Sequence, residues 1–267
     1  MIGGDTMIGG DPVIGLWQPV SGCSALCRDG LDRRVLPGAG FLRMTTLAGV
    51  LLGGLLLVPL LRGVALRTLA RTMLAVLGIR VRRQGPAVRP GSLMVANHVS
   101  WLDILVLTAV APVRLVAKGE VGSWPGIGAL AGLSGAIFID RSRPKALPGT
   151  VAEVAAALRS GRTVAAFPEG TTYCGANQGT FRPALFQAAI DAGAPVVPAS
   201  IVYDSTAAAF IGDDTLWGSV RRVAALRRLT VTLVTAPALR PEAGAGRKAL
   251  ARAAQSSLRV TGYRLAA

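Results

Sequence analysis

The sequence predicts an α/β fold, a mostly parallel sheet covered by helices and preceded by a helical hairpin of apolar composition. Three observations carry this reading. Short β-rich runs alternate with longer helical patterns after residue 78, two apolar stretches come before them, and the net charge sits in two segments flanking a neutral middle. Strands that alternate with helices point to parallel strands joined by helical crossovers, with both faces of the sheet covered.

Residues 1–40 are rich in glycine and turn formers and hold a short echo, Met-Ile-Gly-Gly-Asp at 1–5 and again at 7–11, as expected of a flexible leader. Residues 44–61 carry no charge. As a helix they would rise about 27 Å, against a hydrocarbon core of about 30 Å. Gly49, Gly53, Gly54 and Pro59 oppose a straight rod, and Arg43 and Arg62 bracket the stretch as interfacial anchors do. Residues 64–77 are apolar apart from Arg67 and Arg71, which share one helical face, the pattern of a helix lying in an interface. Together they predict a membrane-associated hairpin over 41–78 that dips into one leaflet. No small-x-small cleavage site follows Leu61, which argues against a signal peptide; an ordinary buried hairpin is the alternative.

Beyond it, residues 79–84, 92–96, 113–117, 136–140, 163–167, 196–202 and 229–235 read as strands. Residues 101–111, 124–133, 146–159 and 183–192 read as helices, 213–219 as a polar loop, and 247–260 as a terminal helix with an arginine-rich surface. The expected organisation is a leader (1–40), the hairpin (41–78), a catalytic domain (79–240) and a basic C-terminal helix (241–267).

The chain of 267 residues has a formal charge of +15 with 51% hydrophobic residues, too apolar for a disordered basic protein. Segments 41–90 and 221–267 carry +8 and +9, and the remainder is nearly balanced. Basic flanks beside an apolar stretch suit an anionic membrane surface, where each Lys or Arg contributes about 1 kcal/mol. A general preference for arginine, 26 of the 29 basic residues, is the plainer account. Nucleic acid is not an expected partner, because the basic tail holds only Tyr263 as a stacking group. Cys23 and Cys27 resemble half of a metal clip without the other half, and one histidine with three cysteines does not make a four-ligand zinc site of the usual spacing. No metal is expected, and the low, odd cysteine count fits a reducing compartment. Neither G-x-S-x-G nor G-x-x-x-x-G-K-[ST] occurs, and the near-match to a dinucleotide fingerprint at Gly126 lacks its preceding strand and downstream acid, so it reads as a helix start.

The single histidine follows a strand in Asn97-His98-Val99-Ser100-Trp101-Leu102-Asp103, at the carboxyl end of a parallel sheet, where ligands bind. Ser100 and Asp103 have the spacing of a capping box. The same carboxylate can hold one imidazole nitrogen and leave the other as a general base. No protein nucleophile accompanies the pair, which suggests that the base activates a hydroxyl of the substrate.

These residues resemble the glycerolipid acyltransferases. His98 and Asp103 match that family's H-x-x-x-x-D motif, and Phe167-Pro168-Glu169-Gly170-Thr171 matches its F-P-E-G-T block. Lys118-Gly119-Glu120 through Ile137-Phe138-Ile139-Asp140-Arg141, and Val196-Val197-Pro198, complete four blocks in the family's order. The resemblance implies transfer of a fatty acyl chain from acyl-CoA or acyl-carrier protein to a lysolipid hydroxyl, most of all that of 1-acylglycerol-3-phosphate, without a cofactor. It implies His98 as base, Asp103 as its orienter, and backbone N–H groups near Gly170 and Thr171 as oxyanion donors. Glu169 belongs to the acceptor-lipid site, Arg141 to the acceptor phosphate and Lys118 to the substrate-binding set. Membrane lipids are the implied partners and the cytoplasmic face of the cell membrane the implied location. The family block usually continues with Arg, where this chain has Thr172; Arg182 is placed to supply the missing charge. Relatives that acylate lyso-ornithine lipid look similar in having Thr there and a Phe-Arg pair downstream, which makes that acceptor the second reading. A non-catalytic lipid-binding protein that keeps the fold is the reading of another class.

Overall fold

The computed structural model describes residues 19–28, 34–242, 244 and 246–263. Its strands are β1 (Ile79–Gln84), β2 (Leu93–Ala96), β3 (Val113–Lys118), β4 (Ile137–Ile139), β5 (Thr163–Ala166), β6 (Val196–Tyr203) and β7 (Leu229–Thr235). They form one sheet in the order β1-β7-β6-β2-β5-β3-β4. β6, β2, β5, β3 and β4 run parallel to one another, whereas β7 runs antiparallel to β6 and pairs with β1 in parallel. Five carboxyl ends therefore open on the same edge. Every residue of β2 and β5 is buried, as parallel strands covered on both faces require.

The helices are α1 (Pro37–Val76), α2 (Leu102–Val110), α3 (Ile127–Leu133), α4 (Leu147–Arg159), α5 (Ala184–Ala192), α6 (Leu216–Ala225) and α7 (Arg247–Tyr263). One face of the sheet buries Leu47 and Met73 of α1, Leu102 and Val106 of α2 and Val223 of α6. The other buries Val154 and Leu158 of α4, Phe186 of α5 and Leu250 and Leu258 of α7.

Helical backbone runs through α1 without a break, with Pro59 inside it, yet α1 is not a rod. A straight helix would hold Gly54 and Leu69 about 22 Å apart, and Arg43 and Gly78 about 50 Å apart. Instead the Leu69 side chain comes within 2.6 Å of where a Cβ on Gly54 would stand, and the Arg43 guanidinium within 2.7 Å of that place on Gly78. The chain has doubled back into two antiparallel arms. The reversal lies beside Pro59, whose missing N–H weakens the helical ladder there, and Gly54 gives the arms room to touch. Leu52, Leu56, Leu57 and Val64 project outward and are exposed, and Gly38–Pro59 is long and apolar enough to cross a membrane.

The base of the hairpin is latched by charge. Arg43 Nη1 donates to the carbonyls of Leu226 at 2.6 Å and Ala224 at 3.2 Å, at the end of α6, and Arg71 Nε donates to the Ala109 carbonyl of α2 at 3.0 Å. These carbonyls lack partners within their own helices. Arg43, read from the sequence as an interfacial anchor, is thus a cap on a neighbouring helix.

Three sequence expectations are corrected. The stretch read as a polar loop at 213–219 contains the start of α6, whose cap is the Thr215 hydroxyl accepting from the Gly218 N–H; Asp213, Asp214 and Gly218 obscured the apolar face formed by Leu216, Val220 and Val223. The expected leader overlaps the fold: α1 begins at Pro37, and Cys23 is 5% exposed. The echo at 1–11 lies outside the described residues. The terminal helix continues to Tyr263.

Arg43→Ala would strand the Leu226 carbonyl, at an expected cost of about 1–3 kcal/mol. Thermal melting of detergent-purified protein should show a fall of roughly 2–4 °C per kcal/mol, and an unchanged melting temperature would show that the latch does not hold the hairpin base.

Candidate active site

Loops leaving the shared edge of the sheet bring the polar residues together. At the end of β2, Asn97 Nδ2 donates to the Ile201 carbonyl at 3.0 Å and its Oδ1 accepts from the Ile201 N–H at 2.7 Å. This double bond to β6 fixes the point at which the chain leaves the sheet, and His98 is the next residue. The Asp103 carboxylate lies in the first turn of α2 and is fully buried. Its Oδ2 accepts from His98 Nδ1 at 2.8 Å, the Val99 N–H at 2.7 Å and the Ser100 N–H at 2.9 Å, and its Oδ1 accepts from the Tyr203 hydroxyl at 2.5 Å. One carboxylate therefore closes the start of α2, as the capping-box spacing predicts, and also holds the imidazole. With Nδ1 turned to Asp103, Nε2 is the ring nitrogen left to meet another partner.

Two further groups hold His98. The Phe167 ring stacks on the imidazole with centroids 4.0 Å apart and planes 12° from parallel. Glu169, 3% exposed, accepts from the His98 N–H at 2.7 Å through Oε2 and from the Gly179 N–H at 2.9 Å through Oε1. The resemblance places Glu169 at the acceptor lipid; in this structure its carboxylate turns inward and both its oxygens are held by backbone N–H groups. Burial lifts its carboxyl to about 7, the His98 and Gly179 N–H groups oppose this, and the Asp103 charge adds to it.

His98 faces a cavity of about 850 Å³ with largely apolar walls, formed by Leu51, Leu69 and Met73 of the hairpin together with Trp101, Leu105 and Leu130. Three cations line it, Lys118 at the end of β3, Arg141 after β4 and Arg182 before α5, with Asp140 beside Arg141 as a counter-charge. Burial, with the Arg141 charge, lowers the Lys118 ammonium against a counter-pull from Glu120. Burial also lowers Arg141, Glu120 acting against this and Arg182 adding to it. These three cations share one corner. Gly170 and Thr171 line the cavity as the sequence suggests, but the Gly170 N–H is engaged with the Phe167 carbonyl at 3.0 Å, closing a turn in which Gly170 has φ +78°. The Gly170 carbonyl accepts from Arg141. Thr172, standing where the family usually has Arg, donates its hydroxyl to the Phe210 carbonyl and so ties two loops together.

Sequence reasoning missed Tyr203, Asn97 and the stacking role of Phe167. Phe167 lay inside a recognised block, and Asn97 was adjacent to His98. Tyr203 sits 100 residues from Asp103, with no local signal that could have found it.

A parallel-sheet edge with a carboxylate-held imidazole and an apolar cavity able to take a lipid tail has the features of an acyl-transfer enzyme. A family model described as Acyltransferase matches residues 78–202. The 1-acyl-sn-glycerol-3-phosphate acyltransferase of Neisseria meningitidis serogroup B is 37% identical over 180 residues, 65% of this chain and 71% of that protein. The lyso-ornithine lipid O-acyltransferase of Pseudomonas aeruginosa is 38% identical over 200 residues, 72% and 76% of the two chains. The crystal structure of the 1-acyl-sn-glycerophosphate acyltransferase PlsC from Thermotoga maritima shares the fold, with a TM-score of 0.61 at 21% identity over 76% of this chain and 78% of that one. The chain belongs to this acyltransferase family and is an O-acyltransferase.

The Glu169 shift sets a sign for stability. Below pH 4.5 the carboxyl is protonated in the folded and unfolded chains alike; as pH rises, the unfolded chain ionises first, so stability falls until the folded group ionises near 7. The loss is on the order of 3 kcal/mol. Glu169→Gln should flatten this slope in melting temperatures measured across that window, and an unchanged slope would place the titration elsewhere.

Proposed function

We propose that the protein transfers a fatty acyl chain from acyl-CoA or acyl-carrier protein to the free hydroxyl of 1-acyl-sn-glycerol-3-phosphate, giving phosphatidic acid. The observation that carries this is the His98–Asp103 pair facing a lipid-sized apolar cavity with three cations on its lining. His98 Nε2 takes the proton of the acceptor hydroxyl as its oxygen attacks the thioester carbonyl. Asp103 fixes the imidazole and offsets its positive charge. The tetrahedral intermediate then expels the thiolate, which receives the proton from the imidazolium, so that the base is restored. With the Gly170 N–H engaged, the Thr171 N–H is the backbone donor that we assign to the oxyanion. The apolar walls take acyl chains, and Lys118, Arg141 and Arg182 suit the acceptor phosphate.

The hairpin supports a membrane setting, and we assign the protein to the cytoplasmic face. Its outward leucines suit lipid, and its inner side lines the cavity, so a lysolipid reaches His98 from the bilayer. A second reading keeps the chemistry and changes the acceptor to lyso-ornithine lipid. Thr172 favours it, together with the 38% identity to the Pseudomonas aeruginosa enzyme of that name.

Acyl transfer by detergent-purified protein, with both acceptors offered in parallel, tests these readings. His98→Ala and Asp103→Ala should lower kcat by about 10²–10⁴-fold with the protein still at the membrane; wild-type turnover by His98→Ala would overturn the mechanism. Arg141→Ala and Arg182→Ala should raise KM for the phosphate-bearing acceptor. Product from lyso-ornithine lipid alone would select the second reading.

A further inference from the structure

Three thiols that lie far apart in the sequence meet beside the active-site loop. Cys23 and Cys27 come from the segment that precedes α1, and Cys174 from the loop after β5, 151 residues beyond Cys23. Their sulfur atoms all lie within 4.8 Å of one another, and all three are free thiols. The sequence offered Cys23 and Cys27 as half of a clip; folding supplies a third arm. Cys23 and Cys174 are buried and Cys27 is half-buried, with Val99, Ala209 and Ile211 closing an apolar wall around them. The Cys174 N–H donates to Cys23 Sγ at 3.4 Å, so a backbone amide already orients one of the three sulfurs.

We propose that Cys23, Cys27 and Cys174 form a three-thiolate site for a thiophilic d¹⁰ cation, with Zn²⁺ as the fitting ion. Sulfurs about 2.3 Å from a tetrahedral Zn²⁺ stand about 3.8 Å apart, so each pair needs to close by no more than roughly 1 Å. Three protein ligands leave the fourth position to water or another exogenous donor. Binding is proton-balanced: one Zn²⁺ and three thiols give a zinc tris-thiolate and three protons. The ion would clip the segment 19–28 to the loop that carries Glu169 and Gly170. That segment already crosses the loop, with Pro19 Cγ 2.7 Å from where a Cβ on Gly170 would stand, and Arg28 pairs with Asp214 at 2.9 Å.

The test uses the full chain, purified in detergent, reduced and freed of reductant, and titrated with Zn²⁺ against a chromophoric chelator. The expected result is one Zn²⁺ per chain, slowed alkylation of all three cysteines, and an ultraviolet thiolate charge-transfer band when Cd²⁺ replaces Zn²⁺. Cys23→Ser and Cys174→Ser should each weaken binding by well over about tenfold. Because both are buried, Cys27→Ser serves as the variant that leaves the apo melting temperature unchanged while still losing the ion. Absence of stoichiometric binding, binding unaffected by all three substitutions, or a titratable thiol count of one in place of three, the mark of a disulfide, would each overturn the proposal.

Discussion

The catalytic edge depends on one buried carboxylate. Asp103 has no access to solvent, and a charge so placed is tolerated only where donors surround it. It collects four: an imidazole nitrogen, two backbone amides and a phenol. Those donors come from the β2–α2 loop and from the far end of β6, so satisfying one charge fixes the start of a helix, the course of a loop and the pose of the imidazole together. Glu169 repeats the device from the other side, holding the amides of His98 and Gly179. His98 is thus set by its ring through Asp103 and Phe167 and by its backbone through Glu169, before any substrate arrives. Such prior fixing suits the general base that we propose His98 to be.

Much of this arrangement was legible in the residues. Strand positions followed from short β-branched runs, and β1 and β7 match their expected bounds. His98 and Asp103 were readable because the four residues between them span a turn and one helical step, a local distance. Contacts across the sheet were not readable. Tyr203 reaches Asp103 because β6 lies beside β2, and strand order is a property of the whole chain. Glu169 was visible as a residue but its orientation was not, since nothing in Pro168-Glu169-Gly170 says whether the carboxylate points out towards lipid or in towards an amide. The opening of α6 was hidden by the polar residues that cap it.

Arginine serves two separate needs in this chain. Arg43, Arg71 and Arg222 spend their donors on carbonyls that helices and turns leave over; Arg222 reaches the Ala207 and Ala209 carbonyls as well as Asp214. Lys118, Arg141 and Arg182 instead line one cavity, where Glu120 pulls against the first two and Asp140, on the same lining, is paired with Arg143. The high net charge is therefore part structural capping and part cavity lining.

The doubled-back α1 has a consequence for how the protein can be divided. Its arms supply a wall of the cavity into which His98 faces, so the element apolar enough to cross a membrane is also part of the container around that histidine. A hairpin borrowed from another membrane protein, however well it inserted, would present the wrong inner surface. Hairpin and site are in this sense one module, and natural or designed exchange of parts would have to keep both arms of α1, and Pro19 ahead of them, with the sheet whose cavity they line.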